Sequence, residues 1–241
     1  MKKKLLLVFS IFLICSFYIF GVKFPEKSQK IEDFIPKDWK LISDARGDLN
    51  KDKLEDVALL IEKDDLANIK SNEEKLGPLK LNLNPRILLV LFREKDGMYS
   101  LKAKNDKGFI ASEHSDDNPT LEDTFSGMDI RNNTLSVAFS FFTSAGTYGS
   151  SNSVYIFRFQ NKRIELIGMQ DFSFMRNSGD GEEISINFST GKYKLTKGLN
   201  VFSKEENKPK VTWGKLKSSK KYSLEEMEDS VIGKIYESIY N

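Results

Sequence analysis

The strongest constraint on the fold is a repeated strand–turn–strand pattern in the second half of the chain. Residues 135–142 (LSVAFSFF) alternate between apolar and small or polar side chains. A strand has a side-chain period of two, so Leu135, Val137, Phe139 and Phe141 are predicted to share one face. The turn sequence RNNT before this segment predicts a hairpin with the strand that precedes it.

Two later segments repeat the same pattern. Residues 154–169 (VYIFRFQNKRIELIGM) are predicted to turn at residues 160–162, and residues 184–195 (ISINFSTGKYKL) at residues 189–191. Hairpins that follow one another without intervening helices indicate a mainly β protein. The predicted fold is an antiparallel meander of hairpins, either a β-sandwich or a partial propeller-like sheet, with a C-terminal α-helix.

The first half of the chain contains one strand of a different kind and one long excursion. Residues 87–92 (ILLVLF) are continuously apolar, which predicts a strand that is covered on both faces. The dipeptide Asp96-Gly97 behind it predicts a hairpin turn. Residues 63–84 are polar and separate two strands by far more than a hairpin needs, so we expect a functional or a disordered loop there.

Residues 223–240 change to a helical period. Ser223 and Glu226 have the spacing of a capping box. Apolar residues then recur at intervals of three and four, at Leu224, Met227, Val231, Ile235 and Ile239. This stripe predicts a helix that covers an open face or edge of the sheet, and a partner-binding helix is the alternative.

Residues 1–22 indicate the compartment. MKKK is followed by 18 residues without a charge, a pattern typical of a signal peptide or of an N-terminal membrane anchor formed by residues 5–22. We therefore expect an exported protein that is periplasmic, exposed at the cell surface or secreted, and that touches the membrane only through this segment. Cleavage after Gly21, lipidation at Cys15 and retention as an anchor all stay open.

The remaining chain is interpreted as a linker and one domain. Residues 23–38 are polar and contain two prolines, which is typical of a linker. Residues 39–241 have the length of a single β-rich domain.

Composition excludes several classes of function. The chain has 37 basic and 35 acidic residues, and without its three N-terminal lysines the net charge is −1, so we expect no nucleic-acid partner. Cys15 is the only cysteine, which excludes a disulfide framework and a cysteine-based metal site. His114 is the only histidine, so a multi-histidine metal centre is excluded as well.

One acidic loop carries the candidate metal site. Residues 48–56 (DLNKDKLED) place oxygen-bearing groups at alternate positions, where they could converge on a single ion. Calcium prefers six to eight oxygen ligands and is bound by loops of this kind. The predicted ligands are the side chains of Asp48, Asn50, Asp52 and Asp56 and the backbone carbonyl of Leu54.

Two positions depart from the helix–loop–helix calcium motif. Its sixth position is glycine because the chain turns there with positive φ, and this sequence has Lys53. Its twelfth position is a bidentate glutamate, and this sequence has Leu59. The apolar run VALLI shows that the loop leads into a strand, so an EF-hand is excluded. The alternative to a calcium site is a solvated polar turn, because Asp and Asn favour turns.

The segment GDLNKDKLEDVALLI resembles the strand-connecting calcium loop of FG-GAP and VCBS repeats, in which GDLNGDG-like segments precede an apolar strand. More widely, residues 36–200 resemble a family of small exported bacterial proteins that are often labelled FG-GAP-like or lipoproteins. The resemblance implies calcium ligation by the four side chains named above, with Lys53 as the departure. It implies no catalytic residues and, because the loop occurs once, no complete propeller.

These observations together predict a non-enzymatic protein of the cell envelope. We expect a binding or recognition module with one structural calcium ion and an envelope or extracellular ligand. An inhibitor or immunity-type partner of another envelope protein is one alternative, which an exposed apolar patch on the C-terminal helix or on residues 63–84 would favour. A carboxylate-dependent hydrolase is the other, which two converging acids with perturbed pKa values in a pocket would favour.

Overall fold

The computed structural model describes residues 22–73, 75–203 and 209–240. Within them the chain is mainly β, every strand pairing is antiparallel, and an α-helix closes the C-terminus, which confirms the predicted fold class. The fourteen strands of the described residues are β1 (Lys27–Ser28), β2 (Trp39–Gly47), β3 (Asp56–Lys63), β4 (Ile69–Ser71), β5 (Lys80–Asn82), β6 (Arg86–Arg93), β7 (Tyr99–Asn105), β8 (Phe125–Arg131), β9 (Thr134–Phe142), β10 (Gly149–Gln160), β11 (Arg163–Met175), β12 (Asp180–Asn187), β13 (Lys192–Asn200) and β14 (Lys210–Lys215). The helical segments are three 3₁₀ turns, Ile31–Phe34, Leu66–Asn68 and Leu224–Glu226, and the helix α1 (Asp229–Tyr240).

The strands form two large sheets and one small ribbon. The N-terminal sheet has the spatial order β1-β7-β6-β3-β2, and the C-terminal sheet is a seven-stranded meander in the order β14-β13-β12-β11-β10-β9-β8. The excursion at residues 63–84 contains β4 and β5, which pair with each other. It therefore includes an ordered ribbon that stands apart from both large sheets.

The N-terminal sheet is covered on both faces, as the continuous apolar run predicts. In β3, Ala58 and Leu60 face the main core between the sheets, whereas Val57, Leu59 and Ile61 face a second core on the outer side. Strand β6 divides its apolar residues in the same way. A run that looks uniform in sequence is thus split by the period of two between two cores.

The outer core is closed by the segment that the sequence suggests is a linker. Residues 23–38 contain β1, which pairs with β7, and a 3₁₀ turn whose Phe34 is fully buried. Phe24, Ile31 and Ile35 pack against the same cluster. The segment is therefore part of the fold, because its few apolar residues cover a sheet face that would otherwise be exposed to water.

The C-terminal helix packs on the main core with the predicted stripe. All five residues of that stripe are buried, including Val231, Ile235 and Ile239 on α1. The helix begins later than predicted, at Asp229. The capping sequence instead stabilises the 3₁₀ turn before it, where the Ser223 N–H donates to the Glu226 carboxylate at 2.8 Å.

The two large sheets meet beside the acidic loop. Gly47, at the end of β2, lies so close to β8 that a Cβ atom there would be 2.6 Å from the Ile130 side chain. The Asn133 amide, in the β8–β9 turn, donates to the backbone carbonyl of Asp48 at 2.7 Å. The loop is therefore placed where it can couple one sheet to the other.

In the described part of the chain, no helix combines the length and the apolar character needed to cross a membrane. The predicted signal peptide or anchor, except for Val22, lies outside the described residues.

Candidate functional site

The acidic loop is folded around the side chains that the sequence singles out. The Asp48 carboxylate accepts the backbone N–H of Lys51 at 2.6 Å and that of Lys53 at 2.9 Å. The Asn50 side-chain oxygen accepts the N–H of Asp52, and its amide donates to the Asp52 carboxylate at 3.0 Å. The alternating residues thus organise one tight loop, and each carboxylate oxygen keeps a second lone pair.

Asp56, the last predicted ligand, is completely buried. Its two oxygens accept the backbone N–H groups of Leu49 at 2.8 Å and of Arg93 at 3.0 Å. Burial raises the pKa of its carboxyl to about 6, and the nearby charge of Asp52 acts in the same direction. The loop therefore contains a carboxylate whose ionised form is destabilised by burial.

The backbone at the departure from the calcium motif has the conformation that the motif requires. Lys53 has φ of 70°, in the left-handed region that glycine normally occupies, and Lys51 has φ of 69°. The two lysines accept a strain of roughly 1–2 kcal/mol each in this conformation. Leu54 follows, and its N–H donates to Asp52 at 2.8 Å. Across the described residues, no group of three or more His, Cys, Asp or Glu side chains is arranged so that it could hold a metal ion.

Four acidic side chains are buried in the described part of the chain: Asp56, Glu62, Glu165 and Asp171. Two of them have a basic partner, since Arg86 donates to Glu62 at 2.8 Å and Arg163 donates to Glu165 at 2.8 Å. Among the described residues, Asp56 and Asp171 have no such partner. Buried charges in proteins are normally paired or coordinate a metal, so these two carboxylates are candidates for binding a cation.

Asp171 lies at the edge of a groove in the C-terminal sheet. The main core ends at a row of paired residues that runs across the sheet: Phe139, Ser153, Asp171, Ile184 and Leu195. The next row on the same face contains Phe141, Ser151, Ser173, Glu182 and Lys197, one from each of five adjacent strands. This second row is the floor of an open hollow of about 730 Å³.

The hollow combines apolar walls with a charged end. Phe174 and Met175 line it, and Phe141 on its floor is 45% exposed although it continues the apolar face of β9. At the other end of the row the Lys197 ammonium lies 3.5 Å from the Glu182 carboxylate. Large apolar and charged groups are thus presented side by side on a rigid sheet.

A second, more enclosed cavity of about 480 Å³ adjoins the hollow and shares Leu121, Phe141 and Ser151 with it. It lies between the C-terminal sheet, α1 and residues 108–124. Aromatic rings from three separate parts of the chain line this cavity, namely Phe109, Phe139, Phe141, Tyr155 and Tyr236. The hollow and the cavity thus adjoin at three shared residues, and we call the two together the groove.

Asp171 lies behind the lining of the cavity and is hydrogen-bonded to two hydroxyl groups of that lining. Ser153 and Tyr236, which both line the cavity, form hydrogen bonds with the Asp171 carboxylate. Burial raises the pKa of Asp171, the two hydrogen bonds lower it, and the charge of Glu182 raises it again. Burial and the charge of Asp171 also raise the pKa of the Tyr236 hydroxyl, so this tyrosine stays protonated.

Sequence reasoning did not find the groove residues. Glu182 lies in β12 and Asp171 lies within β11, beyond its register shift with β10, and neither belongs to a recognisable motif. The only early indication is the break in the alternation of β10 and β11, where Ser151, Ser153 and Ser173 occupy positions on the apolar face. Small polar residues on the inward face of long strands mark the end of a core.

Comparison with known proteins gave no match among family models, curated proteins or solved structures. The resemblance to FG-GAP and VCBS repeats stays a prediction that rests on the residues of the loop.

Proposed function

We propose that this chain is an exported binding protein of the cell envelope. Its ligand site is the groove on the C-terminal sheet, and a calcium ion in the loop at residues 48–56 stabilises the junction of the two sheets. The observation that carries the proposal is the row of five residues on five adjacent strands that forms the floor of the groove.

The groove has the properties of a ligand site and not of an unfinished core. Its volumes lie in the range of small-molecule and peptide sites, and it joins apolar rings to a few fixed polar groups. The exposed Phe141 ring would gain burial of apolar area on contact with a ligand. The floor is built from paired strands, so the site needs little ordering before it binds.

The calcium proposal rests on Asp56 together with the alternating ligands. Asp56 is buried without a basic partner among the described residues, and a cation beside it would offset the cost of the buried charge. The proposed ligands are Asp48, Asn50 and Asp52 with Asp56 and the Leu54 carbonyl. On ion binding, their side-chain oxygens would turn from backbone N–H groups towards the ion or use their second lone pairs.

Export is proposed from the N-terminal sequence alone. Three lysines followed by 18 uncharged residues favour secretion or anchoring, and calcium is available to extracellular modules at the millimolar concentrations that weak sites need.

The binding claim can be tested with methionine methyl groups as reporters. Met175 lines the groove, whereas Met98 lies in the β6–β7 hairpin of the other sheet and serves as an internal control. The protein labelled with ¹³C at its methionine methyls is titrated with an N-acetylglucosamine tetramer and, separately, with a pool of mixed-sequence heptapeptides. We expect one of these two probes to shift the Met175 resonance while Met98 stays unchanged.

A blocked groove provides the matched comparison. Ser151 lines both parts of the groove, so Ser151→Trp fills it, whereas Ser136→Trp places the same side chain on the outer face of β9. The Met175 response should disappear in the first variant and persist in the second. A wild-type Met175 resonance that neither probe moves at millimolar concentration contradicts the proposed binding function.

A second candidate, an inhibitor or immunity-type partner, is favoured by the exposed leucines of the excursion. Leu66, Leu76 and Leu79 are 87%, 70% and 71% exposed. Isolated leucines on a surface are common, but three on one excursion could contact another protein. Replacing all three by serine would abolish such a contact and leave the Met175 response unchanged.

A further inference from the structure

In the part of the chain that the structure describes, the two buried acids without a basic partner differ in what surrounds them. Both oxygens of Asp56 accept backbone N–H groups, from Leu49 and Arg93, so its charge is compensated by the backbone of the loop and of β6. Asp171 lies beneath aromatic rings and hydroxyl groups, in contact with Ser153 and Tyr236. It is 7% exposed, so solvent alone compensates little of its charge.

A second carboxylate faces the same aromatic rings. Asp229, the first residue of α1, lines the cavity at its exposed side. The charges of Asp171 and Asp229 both raise the pKa of the buried Tyr155 hydroxyl, after the larger effect of burial, which places both acids near this ring. The cavity therefore has one carboxylate in its lining, Asp229, and a second, Asp171, directly behind Ser153 and Tyr236.

The lining supplies no compensating positive charge. Among the described residues that line the cavity, none is lysine, arginine or histidine. The nearest basic residue of the groove is Lys197, which lines the adjoining hollow and is already paired with Glu182 at 3.5 Å. The cavity thus has one carboxylate in its lining and another behind it, and no basic side chain among its described lining residues.

Aromatic faces and carboxylates together select a particular kind of cation. The faces of Phe and Tyr rings attract ammonium groups within about 6 Å, and the attraction is strongest when water is excluded. A metal ion such as calcium would instead require six to eight oxygen ligands, which a lining of phenyl rings does not offer. An anion would be repelled by Asp171 and Asp229.

We propose that the enclosed cavity binds an organic ammonium ion, a small molecule in which a positively charged nitrogen carries an apolar body. Its nitrogen lies next to the Tyr155 and Tyr236 rings, close to the Asp229 carboxylate and on the side nearest Asp171. Its apolar body lies along Phe109 and Phe141. The proposal rests on the groove being the ligand site of the protein and adds the chemical class of the ligand.

A pair of probes of equal shape tests the charge requirement. Choline carries a trimethylammonium group, and 3,3-dimethylbutan-1-ol has the same shape with carbon in place of nitrogen. The δ1 methyl of Ile232, which lines the cavity, reports binding, and Ile31 on the outer core is the control. We expect choline to bind about tenfold more tightly than the neutral alcohol, because the desolvated rings and the two nearby carboxylates all favour the cation.

Charge-neutral variants assign the preference to the proposed groups. Asp171→Asn keeps the shape of the side chain and removes its charge, so it should reduce the choline preference clearly below about tenfold, while the rings and Asp229 retain part of it. Asp129→Asn removes an exposed carboxylate on β8 and should leave the preference unchanged. If Asp171→Asn does not fold, Asp229→Asn carries the test, since it lies at the exposed end of the cavity.

The outcomes separate this inference from the proposed function. Equal binding of choline and the alcohol, or a preference that is undiminished in both Asp171→Asn and Asp229→Asn, overturns the ammonium site. Absence of any Ile232 shift at 20 mM of either probe overturns it as well. In each case the proposed function stands if the Met175 resonance still responds to the sugar or peptide probes.

Discussion

Arg86 shows at the scale of single residues how this fold accommodates buried charge. Its guanidinium donates to Glu62 at 2.8 Å and to both oxygens of Asp123, at 2.7 and 2.8 Å. Burial acts to raise the pKa of Glu62, but hydrogen bonds from Asn82, Arg86 and Lys40 hold it below its usual value. Arg86 thus ties β6 to β3 and to the chain that leads into the C-terminal sheet.

Removal of this guanidinium should be costly. We expect Arg86→Leu to lower the free energy of unfolding by about 3–5 kcal/mol, towards the lower end because Lys40 remains beside Glu62. The measurement is urea denaturation, with Arg131→Leu as the control. Arg131 forms an exposed pair with Asp129, whose loss costs at most about 1 kcal/mol. Equal effects of the two substitutions would show that the buried network does not hold the strands together.

The backbone conformation of single residues was predictable where the turn itself requires it. The requirement for positive φ at the sixth loop position was read from sequence, and Lys53 meets it with φ of 70°. The burial of Asp171 was not predictable, because it depends on strands β10 and β12 flanking β11 and on a tyrosine 65 residues later in the chain. Neither of these appears in the residues around position 171.

At the scale of elements, the turns follow their sequences closely. Asn132 and Asn133 between β8 and β9, and Asn161 and Lys162 between β10 and β11, all have positive φ, as two-residue hairpin turns require. At Asp96-Gly97 only Gly97 has positive φ, at 84°, because the β6–β7 connection is longer than two residues. Hairpin positions were therefore predictable, whereas the type of this turn was not.

The N-terminal segment is the element that sequence reasoning underestimated. Its polar composition and prolines are typical of a linker, yet Phe34 is one of the most completely buried side chains in the described chain. A few apolar residues suffice to cover a sheet whose own strands provide most of the outer core, so the local composition carries little information about packing.

Truncation of Phe34 tests whether this cover is needed. We expect Phe34→Ala to lower the free energy of unfolding by about 3–5 kcal/mol, the usual cost of a buried Phe→Ala change. Phe202→Ala, at a ring that is 61% exposed, should change it by no more than about 0.5 kcal/mol. Both are measured by chemical denaturation. An effect of Phe34→Ala as small as that of Phe202→Ala would mean that the segment is only a linker.

At the scale of the whole molecule, the groove is the part of the inner face of the C-terminal sheet that neither the N-terminal sheet nor α1 covers. The N-terminal sheet and the helix cover only part of β10 and β11, and the uncovered remainder forms the floor. The sequence predicts the meander and the helix, but not how much of the meander the helix and the N-terminal sheet would cover. The groove was not predicted for that reason, since its lining residues are spread between positions 108 and 236.

The acidic loop also affects the whole molecule, because it lies where the two large sheets meet. Gly47 packs against Ile130, and Asn133 donates to the Asp48 carbonyl at 2.7 Å. An ion that fixes this loop would stabilise the junction of both sheets and not only the β2–β3 connection. Its binding free energy would then add to the stability of the entire fold.

The proposed calcium ion would fix the junction of the two sheets, so the melting temperature of residues 22–241 in EDTA and in about 1 mM calcium is the first measurement. With a dissociation constant on the order of 0.1 mM, the ion adds about 1.4 kcal/mol, or roughly 3–6 °C for a domain of this size. We expect that rise in the wild type and none in Asp52→Ala. An unchanged melting temperature at 10 mM calcium would contradict the ion site and leave residues 48–56 as a polar turn.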